Sequence, residues 1–117
     1  MDSTAMVERV IREVWAGADQ AVLAELVAPG RVTDLLSLFH KAFTEVELTE
    51  LEPVFGNADG TMVAFFGEMR LRQVADFLHV SAVGRRANVG FAGIFGVESG
   101  KVTRMWAEMD FAALYAS

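Results

Sequence analysis

The chain of 117 residues has no cysteine, two histidines, two prolines and one tyrosine. Without cysteine there can be no disulfide framework, no thiolate nucleophile and no sulfur-ligated metal, which fits a reducing compartment and makes the cytoplasm the expected location. The two histidines, His40 and His79, lie on separate stretches, and no His-Glu spacing falls on a shared helix. No ligand set for zinc or iron is therefore expected. Positive charge is scarce as well. Ten Lys and Arg against sixteen Asp and Glu leave a net charge of −6, the wrong sign for an electrostatic nucleic-acid footprint, and the only basic clusters are Arg70/Arg72 and Arg85-Arg86. No apolar run approaches the roughly 20 residues that cross a bilayer, and Met1-Asp2-Ser3-Thr4 has neither the basic nor the apolar region of a secretory leader. The expectation is a soluble protein with no nucleic-acid or membrane partner.

Apolar surface, by contrast, is abundant. Hydrophobic residues make up 53% of the chain and its mean hydropathy is +0.33, more than one small body can hide. A single domain, 1–117, is expected, with the excess covered by a homodimer interface or turned into an apolar pocket.

From Ser3 to Trp15 the residues Val7, Val10, Ile11, Val14 and Trp15 recur at helical spacing between Glu8, Arg9, Arg12 and Glu13, which predicts an amphipathic helix capped by Ser3 or Thr4 and ended by Gly17. Asp19 is a plausible cap for a second helix with Val22, Leu23, Leu26 and Val27 as its buried stripe, stopped by Pro29-Gly30. A third is expected over Leu35, Leu36, Leu38, Phe39, Ala42 and Phe43, capped by Thr33 or Asp34. It carries His40, which is either a half-exposed or satisfied core residue or a minor catalytic candidate. After Thr44 the period changes to two. Val46, Leu48 and Leu51 alternate with acidic residues up to about Pro53, and Asn57-Ala58-Asp59-Gly60 reads as a turn. In the run Thr61 to Gln73, Val63, Phe65, Gly67, Met69 and Leu71 share a face with Gln73, a buried amide that must find partners in the core or bind something polar. Asn88 to Val97 puts Val89, Phe91, Phe95 and Val97 on one face, with glycines that permit a bend.

Glu98-Ser99-Gly100-Lys101 is turn chemistry and leads into the last strand, in which Trp106, Glu108 and Asp110 point one way while Met105, Ala107, Met109 and Phe111 point the other. Two carboxylates and an indole thus share a face. If that face lines a cavity, the apolar wall suits a carboxylate to proton transfer near neutral pH; if it is wet, it is an ordinary strand face. Helices first, then four long strands with short turns, predict an α+β fold with a strongly curved antiparallel sheet packed on N-terminal helices.

These stretches resemble the SnoaL-like polyketide cyclases, within the nuclear-transport-factor-2-like superfamily that also holds ketosteroid isomerase and limonene epoxide hydrolase. The likeness rests on Trp15-Ala16-Gly17-Ala18-Asp19, Leu26-Val27-Ala28-Pro29, Phe77-Leu78 followed by Gly84-Arg85, and above all Gly100-Lys101-Val102 continuing to Trp106 and Asp110. The resemblance implies a cone-shaped sheet closed by helices around an apolar pocket, a homodimer through the sheet, and Asp110 as the general acid/base. On that reading the enzyme works without a cofactor on a bulky apolar oxygenated small-molecule substrate, by aldol-type cyclisation or isomerisation. Asp110 moves the proton beside Glu108, Gln73 holds a carbonyl, and Trp15, Phe65, Phe91 and Trp106 shape the pocket. The alternative is a non-catalytic ligand-binding or dimerisation module of the same fold. Two departures stand out: only Gly30 to Thr33 separates the second and third helices, where the family has an additional strand and loop, and Gln73 stands where the family often has His. The strand Asn88 to Val97 has no acid to serve as a ketosteroid-isomerase oxyanion donor, and an epoxide hydrolase would need Arg70 set between Glu68 and Asp110.

Overall fold

The computed structural model describes residues 2–52, 54–78, 80–82 and 84–114; Pro53 and His79 lie outside them. Helix α1 (Ser3–Arg9) runs on into a π-helical stretch, Val10–Ala16. Asp2 caps it, its Oδ1 accepting from the Ala5 N–H at 2.8 Å, so the cap sits ahead of the expected Ser3 or Thr4. The expected apolar stripe is fully buried, and Trp15 ends up at the centre of a ring cluster, 5.1–6.4 Å from the centroids of Phe39, Phe65, Phe91 and Phe95. Helix α2 (Gln20–Leu26) is capped by Asp19 as expected, through the N–H groups of Ala21 and Val22. Helix α3 (Arg31–Ala42) begins after Gly30, at φ 133°, with no side-chain cap. Thr33 instead donates its hydroxyl to the Ala28 carbonyl at 3.1 Å, which corrects the expected Thr33 or Asp34 cap. Glycine can adopt that φ where residues with a side chain rarely do.

Five antiparallel strands follow: β1 (Phe43–Leu51), β2 (Phe55–Gly56), β3 (Met62–Gln73), β4 (Arg86–Glu98) and β5 (Lys101–Met109), in the order β1-β3-β4-β5 with β2 paired to the start of β3. The sheet does not close. Register slips bend it: β1 advances an extra residue near Glu45, itself at φ 54°, and again near Thr49, while β5 carries one extra residue between the pairs Gly96↔Arg104 and Val97↔Val102. Such bulges turn a flat ladder into a curved wall. Ser99 and Gly100 take positive φ in the β4–β5 turn, the geometry that matches strand twist in a tight hairpin. The inner face, with Val63, Phe65, Met69 and Leu71 on β3 and Val89, Phe91, Phe95 and Val97 on β4, packs on the helices as the period-two reading expects.

Strand β5 is a sheet edge, and α3 lies along it. The start of that edge is covered, because the Val102 carbonyl accepts from the Ala28 N–H at 2.9 Å and Lys101 Nζ donates to the last carbonyls of α2, Ala24 and Glu25, each at 3.2 Å. A cation there complements the negative end of the helix. Beyond Val102 the edge faces α3 across a gap. Among the described residues no helix is long and apolar enough to cross a membrane.

Candidate small-molecule cleft

The gap between α3 and β5 holds two adjoining cavities that share Leu35, Leu78 and Met105 as walls. The inner one, about 380 Å³, is lined by Trp15, by Leu35, Leu36 and Phe39 of α3, by Phe77 and Leu78 of the β3–β4 connection, and by Met105, Ala107, Glu108, Met109 and Phe111. The outer one, about 660 Å³, continues from Leu35, Leu78 and Met105 to Arg31, Val32, Asp34, Leu38, Thr103, Arg104 and Trp106. Volumes of this size suit a small organic molecule, and an apolar wall with a few polar groups at one end is the usual make-up of such a site.

Local sequence explains how the walls are built. The extra residue near Thr103 shifts the alternation along β5, so Val102 points into the core and then Met105, Ala107 and Met109 line the inner cavity. Opposite Ala107, Gly93 leaves room: a Cβ there would overlap the Trp106 carbonyl and stand 2.8 Å from the Phe65 ring. The far end is closed by aromatic packing, with Phe43 stacked on Phe111 at 5.7 Å and both against Phe77. Leu78 lines both cavities while two-thirds exposed, and holds φ 53° in the tight Phe77–Val80 turn. A positive φ is uncommon for a branched residue.

The expected site residues separate into three groups. Trp15 lines the inner cavity and Trp106 the outer one, whereas Phe65 and Phe91 pack beneath Trp15 as core, with ring centroids 5.8 and 5.1 Å from it. Glu108 and Asp110 are exposed and share, with Gly67, Gly90, Phe91, Ala92 and Met109, a shallow groove; Glu108 alone of the two also borders the inner cavity. The stripe Met105, Ala107, Met109 and Phe111 turns toward the cavities, Trp106 and Glu108 reach them from the opposite face at the edge of the sheet, and Asp110 lies only in the outer groove.

His40 and Gln73 are engaged by backbone. His40 Nε2 donates to the Trp15 carbonyl at 3.0 Å, joining α3 to the end of the first helix. Gln73 is fully buried and its Nε2 donates to the carbonyls of Val80, at 2.9 Å, and Ala75, at 3.2 Å. It thereby ties down the connection carrying Phe77 and Leu78, with the Gly84 N–H on the Gln73 carbonyl as a further tether. Its Oε1 has no partner among the described residues. Arg70 is exposed on the outer face of β3, in register with Glu47 and Asn88. Among the described residues no cluster of three or more His, Cys, Asp or Glu side chains is placed to hold a metal ion.

The lining residues that sequence reading passed over are Leu35, Phe39, Phe77, Leu78, Met105, Met109 and Phe111. Their signal was present. The β5 methionine stripe and the apolar stripe of α3 are the two surfaces that most need cover, and facing one another across a sheet edge they enclose a space.

Neither a protein-family model nor a curated protein sequence matches the chain. Solved structures do. A proposed polyketide cyclase from Pseudomonas putida KT2440 superposes with a TM-score of 0.76 over 97% of this chain and 95% of its own, at 16% identity. A proposed SnoaL-like polyketide cyclase from Jannaschia sp. CCS1 gives 0.77 over 98% and 92%, at 20% identity. A third, a proposed polyketide cyclase from Acidithiobacillus ferrooxidans, gives 0.74 over 97% and 91%, at 15% identity. The chain has the SnoaL-like, nuclear-transport-factor-2-type fold.

Proposed function

We propose that the protein holds a bulky apolar oxygenated small molecule in the α3–β5 cleft and carries out acid–base chemistry on it without a cofactor, an aldol-type cyclisation or an isomerisation. The observation that carries this reading is the pair of adjoining cavities, the inner one apolar but for Glu108 and the outer one with Arg31, Asp34 and Arg104 in its lining, in a fold shared with proteins described as polyketide cyclases. The proton-moving group is a carboxylate at the end of β5. Asp110 is the one the family resemblance points to, and Glu108 is the one that borders the cavity. A carboxylate takes a proton from the carbon beside a carbonyl and returns it elsewhere, which needs neither metal nor nucleotide. The proposed assembly is a homodimer through the outer face of the sheet.

A second reading, a ligand-binding module without chemistry, is favoured by the exposure of Asp110 and Glu108 and by the backbone bonds that occupy His40 and Gln73. An epoxide hydrolase finds no support, since Arg70 lies on the outer face. Exchange of the carbon-bound protons of an aromatic β-diketone in deuterated water, followed by NMR, separates the readings without knowledge of the natural substrate. Exchange accelerated by the protein and reduced roughly 10²- to 10⁴-fold in Asp110→Asn or Glu108→Gln assigns the base. Binding with no acceleration overturns the enzyme reading and leaves the module.

A further inference from the structure

We infer that the ligand of the α3–β5 cleft carries a single carboxylate, held at the mouth by Arg31 and Arg104 while its apolar body fills the inner cavity. This rests on the cleft being a small-molecule site, as proposed above, and adds the chemical class of the ligand.

In a chain of net charge −6, cations are few and several are engaged. Arg9 and Arg12 pair with Glu13, Glu25 and Glu8; Arg72 and Arg86 pair with Glu45 and Glu47; Lys101 sits on the carbonyls that end α2. Arg31 and Arg104 belong to no ion pair among the described residues, and they come from different elements to line the same outer cavity. Arg31 is the first residue of α3, whose N-terminus has no side-chain cap. Arg104 is held in place without being neutralised, its guanidinium 5.3 Å from the centre of the Trp106 ring. A cation–π contact with an indole uses the charge of the guanidinium and none of its N–H groups, which match a carboxylate with two parallel hydrogen bonds. Thr103 lies beside it on the same wall.

The charge count selects among anions. Arg31, Arg104 and Asp34 are the charged residues of the outer cavity and sum to +1. One carboxylate neutralises this; a phosphate monoester near −2 would leave excess negative charge beside Asp34. Behind the mouth, Leu35, Leu78 and Met105 lead into walls of Trp15, Phe39, Met109 and Phe111 in which Glu108 is the one charged lining residue, so a second anionic group there would lose its hydration and meet a like charge. The cleft is therefore built for an amphiphile with one charged end.

The test uses decanoate, decan-1-ol and decyl phosphate as probes, titrated calorimetrically into the intact protein at pH 7 and low salt, below their aggregation limits. Decanoate should bind one per chain, about tenfold or more tighter than decanol, the difference expected of a charge-assisted pair. In Arg31→Gln/Arg104→Gln that advantage should disappear while decanol affinity holds, with circular dichroism confirming the fold. Equal affinity for acid and alcohol, or an acid preference that survives the double substitution, overturns this inference and leaves the cleft reading standing. Tighter binding of decyl phosphate than of decanoate overturns the assignment of a carboxylate. Failure of all three probes to bind overturns both this inference and the cleft as a small-molecule site.

Discussion

His40 donates its Nε2 proton to the carbonyl of Trp15 across 3.0 Å, joining the end of α3 to the end of the first helix directly behind the inner cavity. That bond gives His40 a structural role. His40→Ala leaves a partly buried carbonyl without its donor, at a cost of about 1–3 kcal/mol, and should lower the melting temperature. The rate of carbon-proton exchange, measured below the new melting point, should stay within about twofold of the parent if no proton passes through this imidazole. A rate loss that exceeds the loss of folded protein would return His40 to the catalytic candidates.

Gly93 marks where β4 passes closest to the cavity wall. A Cβ at this position would run into the Trp106 carbonyl of β5 and the Phe65 ring together, and neither backbone of a paired strand nor a fully buried ring can move far. Gly93→Ala should therefore destabilise the protein by about 1–3 kcal/mol, the range for overpacking a filled interior. Gly84→Ala is the contrast. No atom lies near its added Cβ, and the cost there comes only from a φ of 66°. Chemical denaturation of both variants checks the order; a Gly93→Ala protein as stable as the parent would show that β4 and β5 are not held this closely.

Two surface carboxylates should respond to pH with opposite signs. The hydrogen bond from Arg72, and the positive charge of Arg72 and Arg86, hold the Glu45 carboxyl below the usual range. A depressed folded-state value contributes stability above the unfolded pKa, and that contribution is lost as pH falls through the folded one. Glu50 goes the other way, raised first by its hydrogen bond to the Glu52 carboxyl and then by the repulsion between them. Its contribution is present below the ordinary carboxylate range and lost as pH rises through the raised value. Glu50→Gln should accordingly raise the melting temperature at pH 7 relative to the parent, and Glu45→Gln should lower it there. Both differences should shrink once the medium is acidic enough to protonate the carboxyls. Melting curves at pH 7 and at about pH 3 decide this, and a pH-independent difference would remove the ionic cause.

Much of this architecture was legible from spacing alone. The stripe Val7-Val10-Ile11-Val14-Trp15, the Asp19 cap, the inner faces of β3 and β4 and the Ser99-Gly100 turn follow from periodicity and turn chemistry, and all stand in the structure. What spacing could not supply was which side of β5 meets the helices. Alternation groups Met105 with Met109 and Trp106 with Asp110, but is silent on which group is inward. One extra residue at the bulge then reverses the sense set by Val102. The expected pocket aromatics divide in the same way: Trp15, near the end of the π-helical stretch, reaches the cavity, whereas Phe65 and Phe91 pack beneath it. Gln73 was recognised as a polar group on an apolar face, but its partners are carbonyls of a connection with no periodic pattern to place it.

The outward side of β5 bears on assembly. Phe66 and Trp106 are about half exposed, at 47% and 49%, and Met62 is exposed at 36%. The strand register lays Phe66 opposite Ala92, and Ile94 between Ala64 and Trp106. These residues make an apolar band across β3 and β4 that ends on Trp106 of β5, between Arg104 and Glu108, where an ordinary wet sheet face would be polar throughout. A two-fold partner centred on Phe66 would cover the β3–β4 part of the band with its own copy and leave Trp106 and Arg104 open at the cleft mouth. Sedimentation at micromolar concentration should give about twice the 12.8 kDa chain mass. Trp106 belongs to the cleft mouth as well, so Phe66 is the residue to change. Phe66→Lys places a charge at the centre of the band and should yield a folded monomer, while Leu38→Lys, on α3 at the outer cavity, should leave the dimer intact. A parent protein that sediments as a monomer, or a Phe66→Lys dimer as tight as the parent, would exclude this face as the interface.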